Sequence, residues 1–98
     1  MLKVFLVEDE IIVREGIRDR INWVENGFEF SGEASDGELA YPMIQQIKPD
    51  IVITDIKMPF MDGLALSRLI RNELPWTKII ILSGYDEFQY AKEAISIG

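Results

Sequence analysis

Unbroken runs of apolar residues predict the strands of this chain. Residues 4–7 and 51–53 are entirely apolar, and residues 79–82 repeat the pattern. Such runs are typical of strands buried on both faces of a parallel sheet, whereas the alternation in residues 28–34 indicates an edge strand with one face in water. The predicted strands therefore lie at residues 3–7, 28–34, 51–55 and 78–83.

Between the strands, apolar residues recur every three or four positions, which is typical of one face of a helix. The first predicted helix spans about residues 10–22. Ser35 and Glu38 have the spacing of a capping box, which predicts that a second helix begins there and runs to about residue 48. Pro42 lies inside this second helix and should bend it, because proline cannot donate a backbone hydrogen bond.

Two further helices are predicted by their capping residues. Asp62 is suited to cap a third helix over about residues 63–73, and Asp86 is suited to cap a fourth that runs to about residue 97. The strictly alternating order of strands and helices predicts parallel strands, right-handed crossovers and helices on both faces of the sheet. The apolar helix faces consist of Val13, Ile17 and Ile21 in the first helix, Leu39, Met43, Ile44 and Ile47 in the second, and Leu66, Leu69 and Ile70 in the third.

The composition limits the chemistry that is open to this chain. Its 98 residues, 48% of them hydrophobic, suit one globular domain. It has no cysteine and no histidine, which excludes disulfides, thiolate ligands and an imidazole base and leaves oxygen chemistry as the main option. The net charge of −7 disfavours direct nucleic-acid binding, because binding to phosphates needs a basic surface. No apolar run reaches the roughly 18 residues that span a membrane, and residues 1–3 lack a signal-peptide layout, so we expect a cytoplasmic protein without membrane contacts.

Acidic residues follow two of the apolar strands. Glu8 and Asp9 come directly after the first strand, and Asp55 ends the third. Ligands bind at the carboxyl ends of the strands in an open parallel sheet, and neighbouring strands lie about 4.8 Å apart. Three carboxylates that close would repel one another unless a cation joined them. The pattern therefore predicts a site for a hard divalent metal beside a reactive carboxylate.

Three motifs carry a resemblance to a known family. They are residues 7–10 after the first strand, residues 49–59 with 61–63 around Asp55, and residues 81–84 after the fourth strand. At this spacing they are highly specific together, and the whole chain resembles the receiver domain of bacterial two-component response regulators. Residues 82–91, like residues 21–23 with 27–28, are most similar to regulators that carry an AraC-type helix-turn-helix output domain.

The resemblance implies a phosphorylation-dependent switch. Asp55 would accept a phosphoryl group from a sensor histidine kinase, and Ser83 would hydrogen-bond that group. Asp9, Asp55 and the backbone carbonyl of Lys57 would bind Mg²⁺, or alternatively Mn²⁺, with Glu8 assisting through water. Such a domain is a regulatory phosphoacceptor rather than an enzyme, although it assists its own Mg²⁺-dependent phosphorylation and dephosphorylation. In the full-length regulator it would control transcription through the output domain.

The chain departs from the family pattern at its end. The family has a fifth strand and helix, with a lysine that pairs with the phosphoryl oxygens, and neither Lys78 nor Lys92 occupies that position. We therefore expect residues 1–98 to form a receiver domain that is incomplete at the C-terminus. Its fold would be a flavodoxin-like, doubly wound α/β sheet with strand order 2-1-3-4 and no fifth βα unit. The fourth strand would then be an apolar edge, which predicts that the chain is either marginally stable or associates as a homodimer or a domain-swapped assembly.

Two other functions remain open at this point. A receiver-like chain without the lysine would be impaired in phosphorylation and would act only as a protein-binding module that docks on a kinase. A phosphatase of the haloacid-dehalogenase type would also use an aspartyl intermediate. That class needs an Asp-x-Asp pair after its first strand, where this chain has Glu8-Asp9-Glu10.

Overall fold

The structure is a computed structural model that describes residues 1–82. Within this range the chain forms a parallel sheet of four strands with three connecting helices. The strand order is β2-β1-β3-β4, which confirms the predicted doubly wound topology. The predicted fourth helix and Ser83 lie outside the described residues. The elements are β1 (Leu2–Val7), α1 (Ile11–Arg20), β2 (Phe28–Ala34), α2 (Gly37–Ile47), β3 (Ile51–Asp55), α3 (Gly63–Glu73) and β4 (Lys78–Leu82).

The helices lie on opposite faces of the sheet because the crossovers run in opposite directions. The chain moves from β1 to one edge to form β2, then moves the other way to form β3 and β4. Right-handed crossovers in opposite directions place α1 on one face and α2 with α3 on the other. None of the helices within residues 1–82 is long and apolar enough to cross a membrane.

The main core lies between the sheet and the pair α2 and α3. Phe5 and Val7 of β1 and Val52 of β3 are fully buried there, and they pack with side chains from both helices. The helix residues that complete this core are Ala40 and Ile44 of α2 and Leu66 and Ile70 of α3. As predicted, β1 is buried on both faces from Val4 to Val7, because it is an interior strand covered by helices on each side.

The opposite face is less covered along β3 and β4. Ile80 lies level with Ile53 in the sheet register, and its side chain is 48% exposed. Among the described elements, only α1 lies on this face, and it crosses between β1 and β2. Within residues 1–82, β4 therefore lies at the edge of the sheet with part of one face exposed, in agreement with the expected apolar edge strand.

The start of α2 differs from the prediction by one residue. The capping residue is Asp36, whose side chain accepts a hydrogen bond of 2.8 Å from the Leu39 backbone N–H. Ser35 therefore does not cap the helix. The helix instead begins at Gly37, where the backbone N–H donates to the carbonyl of Met61.

The predicted buried faces of α2 and α3 need correction. In α2, Ile44 is buried, but Leu39 and Met43 are 57% and 40% exposed. The core position one turn before Ile44 is taken by Ala40, because the helix is rotated so that positions 40 and 44 face the sheet. In α3, Leu66 and Ile70 are buried as predicted, whereas Leu69 is exposed.

Candidate functional site

The two acidic strand ends meet because of the register between β1 and β3. Val7 lies opposite Thr54 in this parallel pair, so Glu8 and Asp55 each come one residue later at the same edge of the sheet. One carboxylate oxygen from each of Glu8, Asp9 and Asp55 lies within 4.8 Å of the other two. The structure thus brings together the three side chains that the sequence placed at strand ends.

The three carboxylates differ in their exposure to water. Glu8 is only 4% exposed, Asp55 is half-buried and Asp9 is exposed. Burial raises the pKa of Glu8 from 4.5 to about 7, and a hydrogen bond from the Glu10 backbone N–H only partly opposes this. The neighbouring carboxyl groups of Asp9 and Asp55 raise this pKa further, because a second negative charge nearby is unfavourable. The site is therefore an anionic cluster that a cation would stabilise.

Backbone hydrogen bonds hold the acidic residues in place. The Glu8 N–H donates to the Ala34 carbonyl at 3.1 Å, which ties the end of β1 to β2. The carboxylate of Glu8 accepts from the Glu10 N–H at 3.2 Å, and that of Asp55 accepts from the Ile56 N–H at 2.8 Å. Each carboxylate is therefore oriented by the chain that follows it.

The third helix begins directly against Asp55. The Gly63 N–H donates to the Ile56 carbonyl at 2.7 Å. A Cβ atom at position 63 would overlap the carbonyl oxygen of Asp55, so only glycine permits this approach. Asp62 accepts a 2.8 Å hydrogen bond from the Ala65 N–H, which confirms its predicted role as the cap of α3.

A shallow cleft of about 390 Å³ opens beside the acidic cluster. Asp9 lines it from the loop after β1, and the loop after β3 forms the other wall. Lys57, whose backbone carbonyl is a predicted metal ligand, belongs to that second wall. The cleft is lined by Asp9, Ile56, Lys57, Met58, Pro59 and Asp62.

One residue at the site was not identified from the sequence. Arg14 lies in α1, and its guanidinium donates a 2.7 Å hydrogen bond to the Glu8 carbonyl. The sequence signal for this contact is the distance along the chain between Arg14 and the acidic pair. Arg14 lies one turn into the helix that directly follows the acidic pair, where a long side chain can reach back over the turn before it.

The doubly wound sheet and the acidic cleft at its carboxyl edge define a small α/β domain with a cluster of three carboxylates around a strand-end aspartate. The family model of the response regulator receiver domain matches residues 4–98. The chain therefore belongs to the response regulator receiver family.

Relatives of the chain are transcriptional regulators. It is 44% identical over 98 residues to the uncharacterized transcriptional regulatory protein YesN of Bacillus subtilis, and the match covers all of this chain and 27% of that protein. It is 43% identical over 95 residues to the transcriptional regulatory protein HptR of Staphylococcus aureus, covering 97% of this chain and 37% of HptR. The chain thus spans about a quarter to two fifths of the length of these relatives.

Solved receiver domains have the same fold. The receiver domain of AraT, a response regulator from Geobacillus stearothermophilus, matches 99% of this chain and 75% of its own with 44% identity and a TM-score of 0.94. A two-component transcriptional regulator AraC from Clostridium phytofermentans matches 92% of this chain and 73% of its own at 33% identity and a TM-score of 0.85. A chain of the CheX-CheY-BeF3-Mg²⁺ complex from Borrelia burgdorferi matches 99% of this chain and 72% of its own at 26% identity and a TM-score of 0.86. The predicted kinship to AraC-type regulators is confirmed.

Proposed function

We propose that the domain is a phosphorylation switch in which Asp55 accepts a phosphoryl group from a sensor histidine kinase. The observation that carries the proposal is the meeting of Glu8, Asp9 and Asp55 within 4.8 Å at the mouth of a cleft. Receiver domains of response regulators in general interact with sensor kinases. In the whole protein, the phosphorylated domain would control an output domain that regulates transcription.

The residues present fit a bound Mg²⁺ ion. The donor set consists of oxygen atoms alone, which Mg²⁺ prefers, and two carboxylates with one carbonyl leave positions for the waters that Mg²⁺ keeps. Burial and, after it, the neighbouring carboxyl groups raise the pKa of Glu8, and a cation at the cluster would offset the repulsion among these groups. Asp9, Asp55 and the Lys57 carbonyl would hold the ion, with Glu8 assisting through water, and Mn²⁺ would suit the same ligands. When bound, Mg²⁺ would neutralise negative charge on the phosphoryl oxygens.

The chemistry of the chain itself rests on Asp55. A carboxylate oxygen of Asp55 would attack the phosphorus atom, forming a new O–P bond while the bond from phosphorus to the donor nitrogen breaks. The Ile56 N–H donates a 2.8 Å hydrogen bond to the Asp55 carboxylate and so fixes its orientation. Phosphoryl transfer depends mainly on such positioning and on charge stabilisation. Ser83, outside the described residues, is proposed to hydrogen-bond the transferred group.

Phosphorylation of single-residue variants tests the proposal. The protein would be incubated with Mg²⁺ and a radiolabelled small phosphodonor or kinase, and acid-labile label would be counted. We expect Asp55→Asn to abolish incorporation. Asp50→Asn is the matched control, since Asp50 precedes the same strand at its opposite end and accepts a hydrogen bond from the Lys3 N–H. That variant should be labelled like the parent.

Two results would contradict the proposal in different ways. Label that persists on Asp55→Asn would show that another residue accepts the phosphoryl group. A parent protein that binds a kinase but takes no label from any donor would favour the alternative function, a binding module without phosphoryl transfer.

A further inference from the structure

Glu8 is held by the chain at three of its polar groups. Its N–H donates to Ala34, and its carboxylate accepts from the Glu10 N–H. Its carbonyl oxygen accepts from the Arg14 guanidinium at 2.7 Å. The third of these bonds comes from a side chain, so it is the one that a substitution can remove without altering the backbone.

Arg14 is itself held against the sheet. Its side chain is 15% exposed, and its Nε lies 3.7 Å from a carboxylate oxygen of Glu33. Glu33 lies in β2 opposite Leu6 of β1, and the same oxygen is 2.9 Å from the Arg18 guanidinium. Because the guanidinium has several donors in one plane, Arg14 can face Glu33 and the Glu8 carbonyl together. Arg14 thus links the second strand to the loop that carries the acidic pair.

We propose that Arg14 is a positioning residue for the acidic site. It fixes the peptide between Glu8 and Asp9, and this sets the direction in which both carboxylates leave the backbone. The inference rests on the proposed function, since it concerns the same metal-binding carboxylates. Arg14 is not among the residues that line the cleft, so its effect on a bound cation would pass through the peptide between Glu8 and Asp9.

If Arg14 acted only through its charge, its removal would strengthen cation binding rather than weaken it. Arg14 carries a positive charge beside a site for a divalent cation, so its removal should tighten Mg²⁺ binding if only charge mattered. A positioning role predicts weaker binding in spite of the lost charge, because the carboxylates would no longer be held in one arrangement. The direction of the change therefore separates the two explanations.

Mg²⁺ titration by calorimetry on the purified protein and its variants is the test. We expect Arg14→Ala to weaken Mg²⁺ binding about 3- to 10-fold, the range that one lost hydrogen bond produces. Arg14→Lys should lie between the parent and Arg14→Ala, because lysine keeps a donor but lacks the planar fork. Arg18→Ala is the matched control, since it removes a Glu33 partner and a positive charge on the same helix without touching Glu8. Its affinity should stay within about twofold of the parent.

Three other results of the titrations would overturn the inference. Unchanged or tighter binding in Arg14→Ala, with weaker binding in Asp9→Asn, would reject positioning by Arg14 and leave the metal site intact. Equal losses in the Arg14 and Arg18 variants would show that both only attach the helix to the sheet. A parent that binds no Mg²⁺, or binds it like Asp9→Asn, would refute the metal site and the inference with it. If Arg14→Ala does not fold, Arg14→Gln, which keeps an amide donor of smaller reach, is titrated and judged by the same criteria.

Discussion

Replacing Gly63 with alanine should disrupt the junction between Asp55 and α3. The added Cβ would overlap the carbonyl oxygen of Asp55, and it would lie 2.9 Å from the carbonyl carbon of Asp55 and 3.1 Å from the Cα of Ile56. All three neighbours are backbone atoms, so no side-chain rotation can relieve the clash. Either the first turn of α3 or the end of β3 must move.

The cost of that movement can be estimated from its parts. Overpacking of a close contact costs about 1–3 kcal/mol, and weakening the 2.7 Å bond between the Gly63 N–H and the Ile56 carbonyl adds about 1 kcal/mol. We therefore expect Gly63→Ala to lower the free energy of unfolding by about 3 kcal/mol, which corresponds to a fall in Tm of about 12–24 °C for a domain of this size. Because the clash falls on the Asp55 backbone, the Asp55 carboxylate should move with it, and Mg²⁺ affinity should fall as well.

Gly16 provides a matched control for this experiment. It lies in the interior of α1, and a Cβ there would meet nothing within 4 Å. Gly16→Ala should therefore raise the unfolding free energy by about 0.5–1 kcal/mol, since alanine is the better helix former. Thermal melts of the parent and both variants measure the two effects. A Gly63→Ala protein that melts within about 3 °C of the parent would refute the close approach of α3 to Asp55.

Two further predictions concern Glu8 and the start of α2. The pKa of Glu8 is raised from 4.5 to about 7 in the folded protein, so the folded state binds the proton more tightly. Without divalent ions, the free energy of unfolding should thus fall by about 1–3 kcal/mol as the pH rises from about 4.5 to about 7. In urea unfolding, the free energy of Glu8→Gln should depend less on pH than that of the parent. Parallel profiles would contradict this. In urea unfolding, Asp36→Ala should lower the free energy of unfolding by about 1 kcal/mol and Ser35→Ala by less than about 0.5 kcal/mol, because Asp36 caps the helix. Equal losses in the two variants would contradict the assignment of Asp36 as the cap.

Most of the fold could be predicted because its signals are local. The apolar runs place β1 and β3 within one residue of their observed bounds, and the capping signal of Asp62 places the start of α3. Strand order followed from the family resemblance. The start of α2 was misplaced because Ser35 and Asp36 are both good capping residues, and neighbouring caps cannot be separated by spacing alone. The one-residue shift goes with a buried face that holds Ala40 rather than Leu39.

By itself, the sequence determined the order of the elements and the positions of Glu8, Asp9 and Asp55 at strand ends, since both depend on residues close together along the chain. Only the tertiary structure decided how those acids are supported. The Gly63 contact with Asp55 depends on how the loop after β3 returns to the sheet. The Arg14 bond to the Glu8 carbonyl depends on where α1 lies relative to β2. The raised pKa of Glu8 depends on burial and on charges from another strand. These properties depend on how separate elements pack against one another, through pairs such as Arg14 with Glu33 and Glu8 with Asp55, and no local pattern records that packing.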